Sequence, residues 1–182
     1  MALATILVVD DTAEILEFTA AALDLAGYRV VCCASGPEAL AALHNGHAVD
    51  LLVTDIVMPE IDGFELARRA RALQPSLPVA YVTGDAALAA ASPPEVFGPI
   101  LRKPYRAATL TRHIEDLLAS AEDARLVRAV ASDMIGRFAN ACDRAKDEEE
   151  LARLKGDDLS ADAWKDIARA IWLRREGQDE LG

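Results

Sequence analysis

The chain has 182 residues, of which 52% are hydrophobic and only 5% aromatic, and its formal net charge is −11. That length and apolar content allow one domain with a real core plus an appendage. The acidic balance argues against non-specific binding to nucleic acid or to an anionic membrane surface, both of which want a basic face.

Thr5–Val9 is a β-branched apolar run closed by Asp10-Asp11, and it reads as a buried strand. Residues 13–26 place Ile15, Leu16, Thr19, Ala22, Leu23 and Ala26 at helical spacing, with Gly27 as the stop. Residues 28–33 form a second strand. Ser35-Gly36-Pro37 then opens a helix through Leu43, with proline in its first turn, and Asn45-Gly46 ends it. The third strand covers 50–54 and runs into Asp55. Aspartate is poor in strand interiors, and Met58, Pro59, Asp62 and Gly63 read as an irregular loop after it. A helix over 64–73 follows, then a loop bracketed by Pro75 and Pro78. A fourth strand over 79–82 ends in Thr83-Gly84-Asp85. A short helix over 86–91 is cut off by Pro93-Pro94, and a short strand over 100–102 ends in Lys103-Pro104. A helix over 107–120 carries Leu110, Ile114, Leu117 and Leu118 on one face. Five alternations of strand and helix predict an α/β layer fold with a mostly parallel sheet, whose near-continuous apolar strands are covered on both faces.

From Ala121 only helical signals remain, so the chain divides into a first domain over 1–120 and a helical extension over 121–182. Leu117, Ala121, Ala124, Val127, Val130, Met134, Phe138, Ala141 and Ala145 recur at spacings of three or four, which predicts one continuous helix with only Gly136 to weaken it. Gly156 breaks the pattern. Ser160 is the expected cap of a last helix to about Glu176, with Trp164, Ile167, Ala168, Ile171 and Trp172 as its stripe. Two arrangements satisfy these stripes: the tail helices fold back on each other or on the first domain, or they form a hairpin that pairs with a second copy or with a partner and buries both tryptophans.

Cys32, Cys33 and Cys142 make no metal or disulfide pattern. The first two are strand neighbours pointing to opposite faces and are expected to be small core residues. His44, His47 and His113 are expected at the surface. The apolar run near the start is short and lacks a basic leader, and no run approaches membrane-spanning length, so a reducing cytoplasm is the expected setting.

The chemistry lies at the strand ends. The first strand ends in Asp10-Asp11, the third in Asp55, the fourth in Thr83 and the fifth in Lys103. In a parallel sheet these ends share one edge, where open α/β sheets bind ligands. Three carboxylates together repel and need cations. Hard oxygen ligands with room for water suit Mg²⁺, Lys103 is a point charge suited to phosphate, and Thr83 offers a hydroxyl donor. The assembly reads as a phosphoryl-transfer site in which a carboxylate is the nucleophile. Each residue alone has a plain structural explanation as turn, cap or surface charge; their joint placement at four strand ends does not.

With ILVVDD at 6–11, LLVTDIVMPEIDG at 51–63, VTGD at 82–85 and LRKPY at 101–105, the chain resembles the receiver domain of two-component response regulators over about residues 5–120. The resemblance implies a flavodoxin-like, doubly wound five-stranded parallel sheet of order 2-1-3-4-5; that order follows from the family and not from the spacing. It implies Asp55 as phosphoacceptor and Asp11 and Asp55 as direct Mg²⁺ ligands with the backbone carbonyl of Val57. It further implies Asp10 acting through water, Lys103 paired with the phosphoryl group and Asp55, Thr83 swinging to a phosphate oxygen, and a cis Lys103-Pro104 bond. A sensor histidine kinase or a histidine phosphotransfer protein is the implied donor. Self-phosphorylation and autodephosphorylation at Asp55 would be the only enzymatic acts.

The chain departs from the family pattern at Ile100, where an aromatic switch residue often stands, although Tyr81 and Tyr105 lie near. Val57 and Asp85 occupy positions that tune dephosphorylation. The tail carries fifteen acidic against eleven basic residues, and no histidine follows His113. A histidine phosphotransfer module is thereby excluded, and nucleic acid is not the expected partner. The output is then partner binding or homodimerisation through the C-terminal helices. The alternative is a DNA-binding transcriptional regulator with a degenerate reader, which would want a basic stripe. A phosphohydrolase of the haloacid dehalogenase type would carry Asp-x-Asp at the nucleophile, and Asp55-Ile56-Val57 lacks it.

Overall fold

The computed structural model describes residues 4–46, 48–90 and 96–179. The expectations for His47 and for Pro93-Pro94 lie outside the described residues. The chain forms two compact units, residues 1–121 and 122–182.

The first unit alternates β1 (Thr5–Val9), α1 (Ala13–Leu25), β2 (Arg29–Cys33), α2 (Gly36–His44), β3 (Leu51–Asp55), α3 (Gly63–Leu73), β4 (Val79–Thr83), α4 (Ala86–Ala90) and β5 (Ile100–Arg102), and enters α5 (Ala107–Arg137). The strands pair in parallel in the order β2-β1-β3-β4-β5, the flavodoxin-like arrangement. Period-two alternation splits the central strands between two cores. Leu7, Val9, Leu52, Val79 and Tyr81 face Ala39 of α2 and Leu66, Ala67 and Ala70 of α3. Ile6, Val8, Leu51, Val53, Ala80 and Val82 face Ala22 and Leu23 of α1 and Leu110 and Ile114 of α5. Both faces being covered explains why β1, β3 and β4 are buried throughout, whereas the edge strands β2 and β5 are half-exposed.

Helix ends follow local chemistry. Ser35 caps α2 by accepting the Glu38 N–H at 3.3 Å, and Asp62 caps α3 by accepting the Glu65 N–H at 2.8 Å. Glu65 in turn holds Arg68 and Arg69, whose hydrogen bonds lower its carboxyl pKa to about 2.

In the second unit two expectations change. The single helix predicted through Ala145 is two: α5 ends at Arg137 and α6 (Ala141–Leu154) begins after Phe138–Asn140. Gly136 weakens the last turn of α5, and Phe138 turns in to the core of this unit, its ring covered by the Arg144 guanidinium at 4.1 Å. The cap of α7 (Asp158–Asp179) is Asp157, whose carboxylate accepts the Ser160 N–H at 3.1 Å; Ser160 lies within the first turn. Asp wins because it stands one residue before the helix and its charge suits the helix N-terminus. Gly156, at φ +73°, makes the turn between α6 and α7. Of the two tail arrangements, the described residues show α6 and α7 packed on each other: Ala141, Ala145, Ile167, Ala168 and Ile171 meet Ala131 and Met134 of α5. Trp164 joins this core, while Trp172 is 49% exposed. Cys33 is buried as expected, but Cys32 stands exposed on the edge strand. Among the described residues no helix is long and apolar enough to cross a membrane.

Two glycines are required by close approach of backbone. A Cβ on Gly63 would lie 2.2 Å from the Asp55 carbonyl oxygen, and one on Gly98 would lie 1.7 Å from that of Val79. Gly63→Ala and Gly98→Ala should therefore each destabilise the chain by about 1–3 kcal/mol or more. Gly136→Ala, with nothing within 4 Å of the added Cβ, should be neutral or stabilising. Urea unfolding midpoints check the ranking; unchanged midpoints for Gly63→Ala and Gly98→Ala would contradict it.

Candidate functional site

The sheet delivers four polar side chains to one edge. β1 runs out at Asp10, β3 ends in Asp55, β4 ends in Thr83, and Lys103 follows β5. Asp10, Asp55 and Thr83 are buried, at 2%, 6% and 0% relative exposure, whereas Asp11 is exposed. Burial of such groups is costly without partners, and the partners are present. The Lys103 Nζ donates to Asp10 Oδ2 at 2.6 Å and to Asp55 Oδ2 at 2.7 Å. Asp10 Oδ1 accepts the Thr12 N–H at 3.0 Å, and Asp55 Oδ1 accepts the Val57 N–H at 3.4 Å. The Thr54 hydroxyl donates to the Asp55 carbonyl oxygen at 2.8 Å, and the close approach of Gly63 to that carbonyl seats the loop behind the strand.

Carboxylate oxygens of Asp10, Asp11 and Asp55 all lie within 4.8 Å of one another. At roughly 5 Å and an effective dielectric of about 20, each ionised pair repels by about 3 kcal/mol. Lys103 pairs with two of the three. Asp11 has no ion-pair partner among the described residues. The set is all hard oxygen, open to water on the Asp11 side, and carries more negative charge than its ammonium offsets. This is the donor chemistry of a small divalent cation site. Burial raises the Asp10 pKa even against the Lys103 hydrogen bond. For Lys103, burial alone would lower the pKa, but its hydrogen bonds to Asp10 and Asp55 and their charges outweigh that and leave it raised.

The remaining predicted residues have definite places. The Thr83 hydroxyl accepts the Asp85 N–H at 3.1 Å. The Asp85 carboxylate accepts the N–H groups of Ala87 at 2.7 Å and Leu88 at 3.3 Å, so it is engaged at the start of α4. The Val57 side chain is 58% exposed beside Asp55. Ile100 packs in the α2–α3 core with Phe97 and Leu88, next to Tyr81, its register partner on β4. Tyr81 is fully buried against Phe64, and its hydroxyl, near the Phe97 backbone, makes no well-formed hydrogen bond among the described residues. The Lys103-Pro104 bond is cis.

One contact was not foreseen. The Thr19 hydroxyl donates to the Ile15 carbonyl at 2.7 Å, so the Tyr105 hydroxyl, also 2.7 Å away, must donate to Thr19. This ties α1, which follows Asp10-Asp11, to the segment that carries Lys103. The available signal was a polar Thr19 on the face that periodicity buries. His44 is exposed, and His113 is half-buried with its Nδ1 against the Thr109 carbonyl at 2.7 Å.

A lysine whose folded pKa is raised contributes stability that is fully present below its ordinary value of 10.5 and is lost as pH rises through the folded one. Lys103→Met should therefore cost about 3 kcal/mol at pH 7, since it leaves two buried carboxylates without their cation. The gap from the parent should shrink above about pH 10.5, where the parent loses the same charge. Urea unfolding of both proteins between pH 7 and 11 measures this; a constant gap would contradict it.

With this geometry in place, likeness to known proteins becomes informative. The model of the response regulator receiver domain matches residues 6–115. The chain is 39% identical over 120 residues to the response regulator receiver protein CpdR of Brucella abortus, covering 64% of this chain and 98% of that one. It is 33% identical over 143 residues to the transcriptional regulatory protein FixJ of Bradyrhizobium diazoefficiens, covering 78% of this chain and 69% of that one. A response regulator receiver protein from Sinorhizobium medicae has a solved structure that superposes with a TM-score of 0.59 at 37% identity, covering 65% of this chain and 97% of that one. An acidic, lysine-bridged edge on a 2-1-3-4-5 sheet and these matches agree, and the chain belongs to the response regulator receiver domain family.

Proposed function

We propose that this protein is a phosphorylation-dependent response regulator that accepts a phosphoryl group on Asp55 and signals through protein–protein contacts. The observation that carries the reading is the Lys103 ammonium held between Asp10 and Asp55, beside a third carboxylate, at the carboxyl edge of the sheet. The donor is a phosphohistidine on a sensor histidine kinase or a histidine phosphotransfer protein. The three free cysteines suit a cytoplasmic setting, where thiols stay reduced.

In this mechanism an Asp55 carboxylate oxygen attacks the phosphorus. The new O–P bond forms as the N–P bond to the donor histidine breaks, and the imidazole nitrogen keeps the electron pair and takes up a proton. Lys103, already on Asp55, offsets the charge of the arriving phosphoryl oxygens, and the Thr83 hydroxyl supplies a donor to one of them. Asp11, Asp55 and the Val57 carbonyl would hold Mg²⁺, with Asp10 acting through water; when bound, the ion would neutralise phosphoryl charge. Autodephosphorylation reverses the state: water attacks phosphorus, the bond to Asp55 breaks, and inorganic phosphate leaves. Val57, exposed beside Asp55, has an apolar side chain and offers no polar group to activate that water.

The helical unit is the output surface in this reading. Trp172 and Leu173 stand half-exposed on α7, and aromatic anchors dominate protein interfaces. The net acidic tail disfavours a DNA reader. Incubation with acetyl phosphate and Mg²⁺ should add one acid-labile phosphoryl group to the parent and none to Asp55→Asn, by intact-mass analysis; equal labelling of both would overturn the assignment. The same preparations in light scattering should show the mass of a dimer if the exposed face pairs with a second copy, and a monomer throughout would leave a different protein as its partner.

A further inference from the structure

Of the three clustered carboxylates, Asp11 is the one with no side-chain partner among the described residues. It is exposed and stands two residues before α1. Thr12, at the cap of that helix, makes no side-chain cap bond. The Asp11 carboxylate therefore stands wherever α1 is held. On the other side of the site, β5 is a three-residue edge strand, and the Lys103 segment leaves it with a backbone bond from the Lys103 N–H to the Thr83 carbonyl at 2.7 Å. Tyr105 joins the two sides. Its hydroxyl donates to Thr19 Oγ1 at 2.7 Å, and its ring lies against that of Phe18, the neighbouring residue on α1, with centroids 6.1 Å apart. Thr19 is 2% exposed and gives its own proton to the Ile15 carbonyl. Among the described residues, the Tyr105–Thr19 contact is the one hydrogen bond between α1 and residues 103–106.

We propose that Tyr105 is a positioning residue for the cation site, and that its bond to Thr19 sets the separation between Asp11 and Lys103. The inference rests on the reading of the acidic edge as a Mg²⁺ site. A small divalent cation demands near-ideal ligand geometry, and ligands ordered before the ion arrives bind it more tightly than ligands that must be ordered by it. Asp10 and Asp55 are ordered by Lys103. Asp11 takes its place from the start of α1, and α1 is tied to the Lys103 segment by the phenol. The contact with Phe18 is apolar and tolerates sliding, whereas a hydrogen bond is directional and does not. The hydroxyl of Tyr105, rather than its ring, is thus the part that fixes where α1 stands against that segment.

The test is calorimetric titration of Mg²⁺ into the full chain and into Tyr105→Phe, Thr19→Val, the double variant and Thr19→Ser. Urea unfolding and the backbone amide NMR shifts of the metal-free proteins are measured alongside. Tyr105→Phe and Thr19→Val should each bind Mg²⁺ about threefold more weakly, within the roughly fivefold that one net hydrogen bond is worth. The double variant should bind no more weakly than either single one, because both remove the same bond. Thr19→Ser, which keeps the hydroxyl, should bind as the parent does. In the metal-free protein, Tyr105→Phe should shift the amide resonances of both Asp11 and Lys103. A lower urea midpoint with Mg²⁺ affinity at the parent's level in every variant would show a bond that only stabilises the fold, and that result overturns the positioning role. Losses that add in the double variant overturn it as well. Should the parent bind no Mg²⁺, the cation-site reading falls and the amide shifts alone decide: shifts at Asp11 uphold the fastening, and shifts confined to residues 104–106 overturn it.

Discussion

The first unit depends on a single ammonium. Lys103 Nζ sits 2.6 Å from Asp10 and 2.7 Å from Asp55, joining the ends of β1 and β3 to the segment after β5. Without it, three carboxylates with oxygens within 4.8 Å would face one another at the edge of an apolar sheet. The parallel arrangement gathers these side chains, because each strand carries its last residue to the same edge. The same arrangement makes the strands buried and apolar, so the polar residues at their ends stand out against their context. The price of that concentration is an edge with surplus negative charge, which is the donor chemistry of a cation site.

Rigidity is supplied from around the charges. Gly63 lets the loop after β3 press on the Asp55 carbonyl, and the Tyr105–Thr19 bond fastens the Lys103 segment to α1. Preorganised charge is worth more than charge that must be ordered during reaction. Beside this frame, the Thr83 hydroxyl accepts the Asp85 N–H, and the Asp85 carboxylate is bound to the following helix. The helical unit is a core of its own, built largely from alanines that let α6 and α7 approach closely, with Trp164 inside and Trp172 outside.

Much of this was legible in the residues alone. The strands could be read because a doubly covered parallel strand is a short apolar run, and the edge chemistry because Asp10, Asp55, Thr83 and Lys103 each follow such a run. The strand order was available only through family likeness, since periodicity carries no information about which strands pair. What stayed hidden depends on geometry between residues distant in sequence, or on competition between near neighbours. The break after Arg137 was masked because Phe138 continues the helical spacing while its ring belongs to a core shared with α7. Asp157 and Ser160 both suit a cap, and only the backbone decides between them. The orientation that turns the Asp85 carboxylate to the amides of Ala87 and Leu88 leaves no trace in composition.

The claim at the centre is that the acidic edge and Lys103 form one electrostatic unit that takes up a divalent cation. Calorimetric titration of Mg²⁺ into the parent and into Asp11→Ala addresses it most directly, because Asp11 is exposed and its removal leaves the Lys103 bridge and the core untouched. The parent should bind one ion, and Asp11→Ala should bind at least about tenfold more weakly, having lost a hard oxygen ligand. Binding of Mg²⁺ by Asp11→Ala as tight as that of the parent would contradict the account.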